Sequence, residues 1–346
     1  MDRMLLLDSP SRKAVVSPEY NYLFDKRTGG FRRWGETVND DPEWSPFGCE
    51  ILDIEISVGN CSGKCPWCYK SNNTGMGFYM SLDLFKTIID KLTPFLTQVA
   101  LGITDVDASP DLIPIMEYCR EVGVIPNLTL TGYGLTEELL HDIIRLAGAV
   151  SVSVYPHTKD LAYETINRLL EPGKLAQVNM HLLYYQENEY FVRDVLFDVE
   201  QGHISPNAVV LLALKTKGRA ETGFTPMSYD RFAKLIDDSM RAGIPLGFDS
   251  CSACKFLRWM EQSDLSAEKK EQLRMRVEPC ESGLFSWYVN VEGKAFPCSF
   301  TEDVEGITGL DMLCKNFLQD VWMHPTTQNW RDRLLENNRG CPVYDI

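Results

Sequence analysis

Apolar and polar positions alternate in two rhythms along most of this chain, and the rhythms take turns. Glu50–Val58 alternates at every second residue and predicts a strand. Ser81–Leu92 follows, with Leu82, Phe85, Ile88, Ile89 and Leu92 at helix spacing and Ser81 as its N-cap. The same exchange recurs: strands over Gln98–Thr104, Val124–Thr131, Ala149–Val154, Leu175–Leu183 and Ala208–Leu214. Helices are predicted over Pro110–Val122, Thr136–Leu146, Lys159–Leu170, Glu189–Val199 and Ser228–Arg241. Six strand-then-helix units joined by short turns imply a parallel sheet with right-handed crossovers. Six are fewer than the eight units of a closed barrel, so a partial barrel and a doubly wound sheet both fit.

The pattern divides the chain into three. Residues 1–48 read as an irregular segment, rich in Pro, Gly and Trp, that wraps the main domain. Residues 49–243 are the α/β domain. From 244 to 346 the alternation stops; Lys269–Arg276 reads as helix and Trp287–Phe296 as a hairpin turning at Glu292–Gly293.

Composition narrows the function. With 34 basic and 49 acidic side chains the net charge is −15, which argues against a nucleic-acid partner. No apolar run reaches the roughly 18 to 20 residues of a membrane helix, and the N-terminal apolar run is too short for a secretory signal. A cytoplasmic protein is expected.

Eleven cysteines change the picture more than the charge does. In a cytosolic chain of this size, clustered cysteines point to metal or redox chemistry. Cys119 lies in a helical pattern and reads as a buried apolar residue; Cys49 and Cys314 are isolated and read as structural. Cys61, Cys65 and Cys68 share one short loop at the carboxyl end of the first strand, where parallel α/β folds place their sites. Three thiolates hold a [4Fe–4S] cube by three irons and leave the fourth open, as a catalytic zinc site leaves a position open. Zinc is the rival, since Cys65-x2-Cys68 is zinc-like spacing, but it needs a fourth ligand and no histidine lies near in sequence. A cysteine-nucleophile hydrolase finds no His and Asp arrangement to support it.

The C-x3-C-x2-C loop after the first strand, with Trp67 just before its last cysteine, resembles the radical S-adenosylmethionine superfamily. That resemblance implies a partial (βα)6 TIM barrel, with Cys61, Cys65 and Cys68 as cluster ligands. S-adenosylmethionine would chelate the open iron and be split to a 5′-deoxyadenosyl radical. In the family the second strand ends in a Gly-Gly-Glu motif; here Gly102, Thr104 and Asp105 stand in displaced form. Thr131, at the end of the third strand, Ser153 on the fourth and His181 on the fifth are the further cofactor contacts the resemblance implies. Lys215–Arg219 resembles the family's Gly-Arg after the sixth strand, as a carboxylate site or a solvated loop.

Beyond the barrel, Cys280 and the Gly293-x4-Cys298 stretch resemble the auxiliary-cluster extensions called SPASM and twitch. The dense cysteine run of a full SPASM domain is absent, so the expectation is a small twitch-like α+β module with one auxiliary [4Fe–4S] cluster. Cys280, Cys298 and Cys341 are its implied ligands, with Cys251 ahead of Cys254 for the fourth. A zinc site built from Cys251, Cys254 and two others is the alternative, on a non-catalytic binding or scaffold protein. The resemblance further implies a peptide or small-molecule substrate and a flavodoxin- or ferredoxin-like one-electron reductant. Relatives that take a leader peptide often carry a winged helix before the barrel; the first 48 residues are too short and too rich in Pro and Gly for one.

Overall fold

The computed structural model describes residues 4–72, 75–92, 94–171 and 175–345. Four short strands come first: β1 (Leu5–Asp8), β2 (Arg12–Val16), β3 (Asn21–Asp25) and β4 (Phe31–Trp34). They form an antiparallel sheet in sequence order, which corrects the expectation of an irregular N-terminal segment. Its inner face buries Val15, Tyr22 and Phe24. The expected alternation is hidden because Lys13 is turned inward, its ammonium bonded to the Leu96 carbonyl at 2.8 Å, while Leu5 and Leu7 face outward.

The predicted α/β units follow. The strands are β5 (Ile51–Glu55), β6 and β7 (Ser57–Val58 and Phe78–Tyr79, a separate pair), β8 (Gln98–Gly102), β9 (Ile125–Leu130), β10 (Val150–Ser153), β11 (Val178–Tyr184) and β12 (Ala208–Ala213). Between and after them run α1 (Leu82–Leu92), α2 (Leu112–Glu121), α3 (Glu137–Leu146), α4 (Lys159–Leu170), α5 (Glu189–Glu200) and α6 (Tyr229–Arg241). The expected N-cap is in place: Ser81 Oγ accepts from the Leu84 N–H at 3.3 Å. Cys119 is fully buried on α2, as its helical spacing requires.

The alternation continues one unit past residue 244, with β13 (Leu246–Phe248) and α7 (Ser250–Gln262). Next come α8 (Ala267–Arg274), the predicted hairpin of β14 (Ser286–Val289) and β15 (Lys294–Phe296), then β16 (Leu310–Asp311) and α9 (Pro325–Glu336). One ten-stranded sheet runs β13-β12-β11-β10-β9-β8-β5-β14-β15-β16. Strand β14 pairs parallel with β5, Tyr288 opposite Asp53, so the C-terminal hairpin extends the barrel sheet at its β5 side.

The two faces of each barrel strand do different work. Leu52 and Ile54, Val99 and Leu101, Leu128 and Leu130, Val150 and Val152, Val178, Met180 and Leu182 all enter the main core, shared with helix residues such as Phe85, Ile88 and Ile89 on α1. The residues between them face the other way: Asp53, Ala100, Thr129, Ser151 and His181. The sheet curls so far that the loop after β12 touches the loop after β5, since Arg219 hydrogen-bonds the Cys65 carbonyl. The inward face is therefore the lumen of a partial barrel, and it is polar.

Candidate active site

The three-cysteine loop begins three residues after β6, at the carboxyl end of β5. A methyl group at Gly63 would lie 3.5 Å from Cys61 Sγ and 3.6 Å from Cys65 Sγ, so both sulfurs close on the same turn. Burial, reinforced by the neighbouring thiols, pushes Cys65 up to about 12, and burial also raises Cys61. As free thiols they keep their protons; a bound metal would remove them.

Three clasps hold this loop. Asp105, after β8, accepts from the Ser62 N–H at 3.0 and 3.1 Å and from Ser62 Oγ at 2.6 Å. His157, after β10, meets the Gly63 carbonyl through Nε2 at 2.8 Å. Arg219, after β12, donates to the Cys65 carbonyl at 2.6 and 3.0 Å and to the Asn72 carbonyl, while its own N–H reaches the Cys68 carbonyl at 3.1 Å. Gly218 allows that approach: its φ is +59°, and a Cβ there would stand 2.8 Å from Cys68 O and closer still to Tyr69 O. The Lys215–Arg219 stretch is thus neither a free carboxylate site nor a solvated loop. The absence of a nearby histidine, argued from spacing along the chain, does not survive folding.

The other sequence-singled residues divide. Trp67 stands among aromatic rings, 5.2 Å from Tyr155, 5.6 Å from Tyr185 and 6.0 Å from His157. Gly102 ends β8, a Cβ there lying 3.3 Å from Glu55 Cα. Thr104 is already engaged, its N–H bonded to Ser57 Oγ at 2.9 Å. Ser153 and His181 are register partners on β10 and β11. Burial pushes His181 down to about 4, against the upward pull of Asp249, so its imidazole is neutral near pH 7. Thr131 Oγ1 is buried with no hydrogen-bond partner among the described residues, as a group that meets a polar ligand would be.

The second set of cysteines comes together completely. Cys251, Cys254, Cys280, Cys298 and Cys341 line one cavity of about 340 Å³, together with Asp53 and Phe300. Burial raises Cys251, Cys254 and Cys280, and pushes Cys298 up to about 12. An all-thiol donor set suits iron–sulfur clusters, zinc or Cu(I). Among the described residues, no three His, Cys, Asp or Glu side chains are drawn together as tightly as a single ion requires.

A bridge that spacing did not reveal joins the two thiol sites. Tyr69, next to Cys68, packs its ring 4.3 Å from that of Phe300, two residues after Cys298. Beside it Lys70 pairs with Glu55 at 3.1 Å and with Glu302, and donates to Tyr288 Oη at 2.7 Å.

No family model and no curated protein matches the chain. Solved structures do. The crystal structure of Streptococcus suis SuiB bound to precursor peptide SuiA is 13% identical, with a TM-score of 0.68 over 94% of this chain and 90% of that one. A structure of hexahistidine-tagged anSMEcpe with bound AdoMet is 11% identical, with a TM-score of 0.60 over 82% and 79% of the two chains. Native anSMEcpe with bound AdoMet and Cp18Cys peptide is 10% identical, with a TM-score of 0.61 over 82% of each. The chain shares the fold of the SuiB and anSMEcpe structures, a partial TIM barrel. Among the described residues no helix is long and apolar enough to cross a membrane.

Proposed function

We propose that this chain is a radical S-adenosylmethionine enzyme that modifies a peptide. The observation that carries the reading is the pair of thiol sites. Cys61, Cys65 and Cys68 share one clasped turn at the barrel mouth, and five more thiols ring the adjoining cavity. When bound, a [4Fe–4S] cluster with one open iron supplies the electron that splits S-adenosylmethionine to methionine and a 5′-deoxyadenosyl radical, which takes a hydrogen atom from a substrate C–H bond.

In this reading Cys61, Cys65 and Cys68 hold that cluster, and Asp105, His157 and Arg219 keep their turn in shape from three sides. The Thr131 hydroxyl just after β9, Ser153 at the end of β10 and neutral His181, its register partner in the middle of β11, would give the cofactor hydrogen-bonding groups. Trp67 and its aromatic neighbours would screen that turn from water. Cys251, Cys280, Cys298 and Cys341, with Cys254 beside them, would hold an auxiliary [4Fe–4S] cluster, which would supply one-electron chemistry to the substrate. A small flavodoxin- or ferredoxin-like protein is the reductant. A peptide is favoured as substrate because the SuiB and anSMEcpe structures, over the same fold, are bound to peptides.

The test is anaerobic reconstitution with iron and sulfide, reduction, and incubation with S-adenosylmethionine. The reading expects 5′-deoxyadenosine from the wild-type protein and none from Cys65→Ala. Product from the variant would remove the loop from the chemistry.

A further inference from the structure

Among the residues lining the cavity ringed by the C-terminal thiols is a carboxylate, Asp53, with no ion-pair partner among the described residues. Asp53 is the middle residue of β5; Leu52 and Ile54 on either side enter the core, so the alternation turns Asp53 to the lumen. Its register partner on β8 is Ala100, with Gly102 next on the same face, so the wall beside it is low. The side chain is open to the cavity, the protein around that cavity pushes its carboxyl up to about 6 by desolvation, and among the described residues nothing ion-pairs or hydrogen-bonds with it.

The other charges lining the cavity do not offset it. Among the described lining residues the one cation, Lys215, is held by Asp249 at 2.8 Å, and Glu281 shares Arg33, 3.1 Å away, with Glu50 at 2.6 Å. Asp345 at the rim adds negative charge. Thiolates at the cysteine end would deepen the negative potential.

We propose that Asp53 is a specificity residue that binds a cationic group of the substrate, an ammonium or guanidinium, in the cavity it shares with Phe300. This rests on the enzyme reading given above and names the side chain its substrate presents: a lysine- or arginine-like group.

The test titrates the cluster-loaded protein with the tripeptides Gly-Lys-Gly, Gly-Arg-Gly and Gly-Gln-Gly, by calorimetry or ligand-observed NMR. The two cationic peptides are expected to bind the wild type at least about tenfold more tightly than the neutral one. Asp53→Asn should erase that preference. Ala100→Lys should erase it too, by setting an ammonium beside Asp53, and it decides the matter if Asp53→Asn does not fold. Equal binding of all three peptides by the wild type, or a preference that survives both substitutions, overturns the proposal. The parent reading is tested apart from it, by 5′-deoxyadenosine from the wild type. A cation preference without that product sinks the enzyme and spares Asp53; the product without the preference does the reverse.

Discussion

Substituting Gly218 by alanine tests whether the loop after β12 really shapes the three-cysteine turn. Two costs follow from the geometry. At φ +59° an alanine loses about 1–2 kcal/mol to its own backbone. Its methyl would lie 2.8 Å from Cys68 O and nearer to Tyr69 O, against an ordinary contact of 3.4 Å or more, so one loop must withdraw. Overpacking of this kind costs about 1–3 kcal/mol. Withdrawal also parts the Arg219 N–H from Cys68 O, now 3.1 Å apart. Gly223 is a matched control, with φ +83° and nothing within 4 Å, so Gly223→Ala incurs the backbone cost without the clash. The assay is release of iron from the loaded protein to an excess of chelator, which samples local opening of the loop. The clash alone should make Gly218→Ala lose iron about 5- to 150-fold faster than Gly223→Ala. Release at the same rate from the two variants would refute the clasp.

Lys70→Met should destabilise the protein by about 3–5 kcal/mol in urea unfolding, because it leaves Glu55 and Glu302 facing each other at partly buried positions. A loss under about 1 kcal/mol would mean that water already serves these carboxylates. His181 has its folded value depressed from 6.5 to about 4, so it contributes stability that is present above pH 6.5 and lost as pH falls toward 4. His181→Gln should flatten that part of the stability profile, and NMR titration should find the wild-type imidazole neutral at about pH 5.5; a proton bound there at that pH contradicts the assignment. Asp105→Asn keeps one acceptor for Ser62 and weakens the other bonds, so iron release should quicken less than in Asp105→Ala. Equal rates would assign the loop's shape to something other than those bonds.

The six strand–helix units were legible because Leu, Ile and Val on their core faces repeat at the right spacing, as in Leu52–Ile54 and in Phe85, Ile88 and Ile89. The N-terminal sheet was not legible, because a lysine occupies a core position and two leucines occupy outward ones. Strand β13 is only three residues long, too short to show an alternation, so it was legible only as a strand end ahead of Cys251. The eight candidate metal-binding cysteines, and five of them as one set, were singled out by spacing and resemblance; that Asp53 lines the same cavity as those five was not. What holds the first loop was largely hidden: Arg219 lies 154 residues from Cys65, and His157 lies 94 residues from Gly63. Only the fold brings such pairs together. Asp53 could have been found from alternation alone, since a strand that buries Leu52 and Ile54 must turn the acid between them to the lumen.

The central claim is that the turn of Cys61, Cys65 and Cys68 holds an iron–sulfur cluster with one iron open to S-adenosylmethionine. Electron paramagnetic resonance of the anaerobically loaded, reduced protein tests it most directly, recorded with and without S-adenosylmethionine. The account predicts a cluster signal that changes shape when S-adenosylmethionine is added, and a Cys65→Ala protein whose spectrum no longer responds. A wild-type spectrum unaltered by S-adenosylmethionine, or a response that persists in Cys65→Ala, would contradict it.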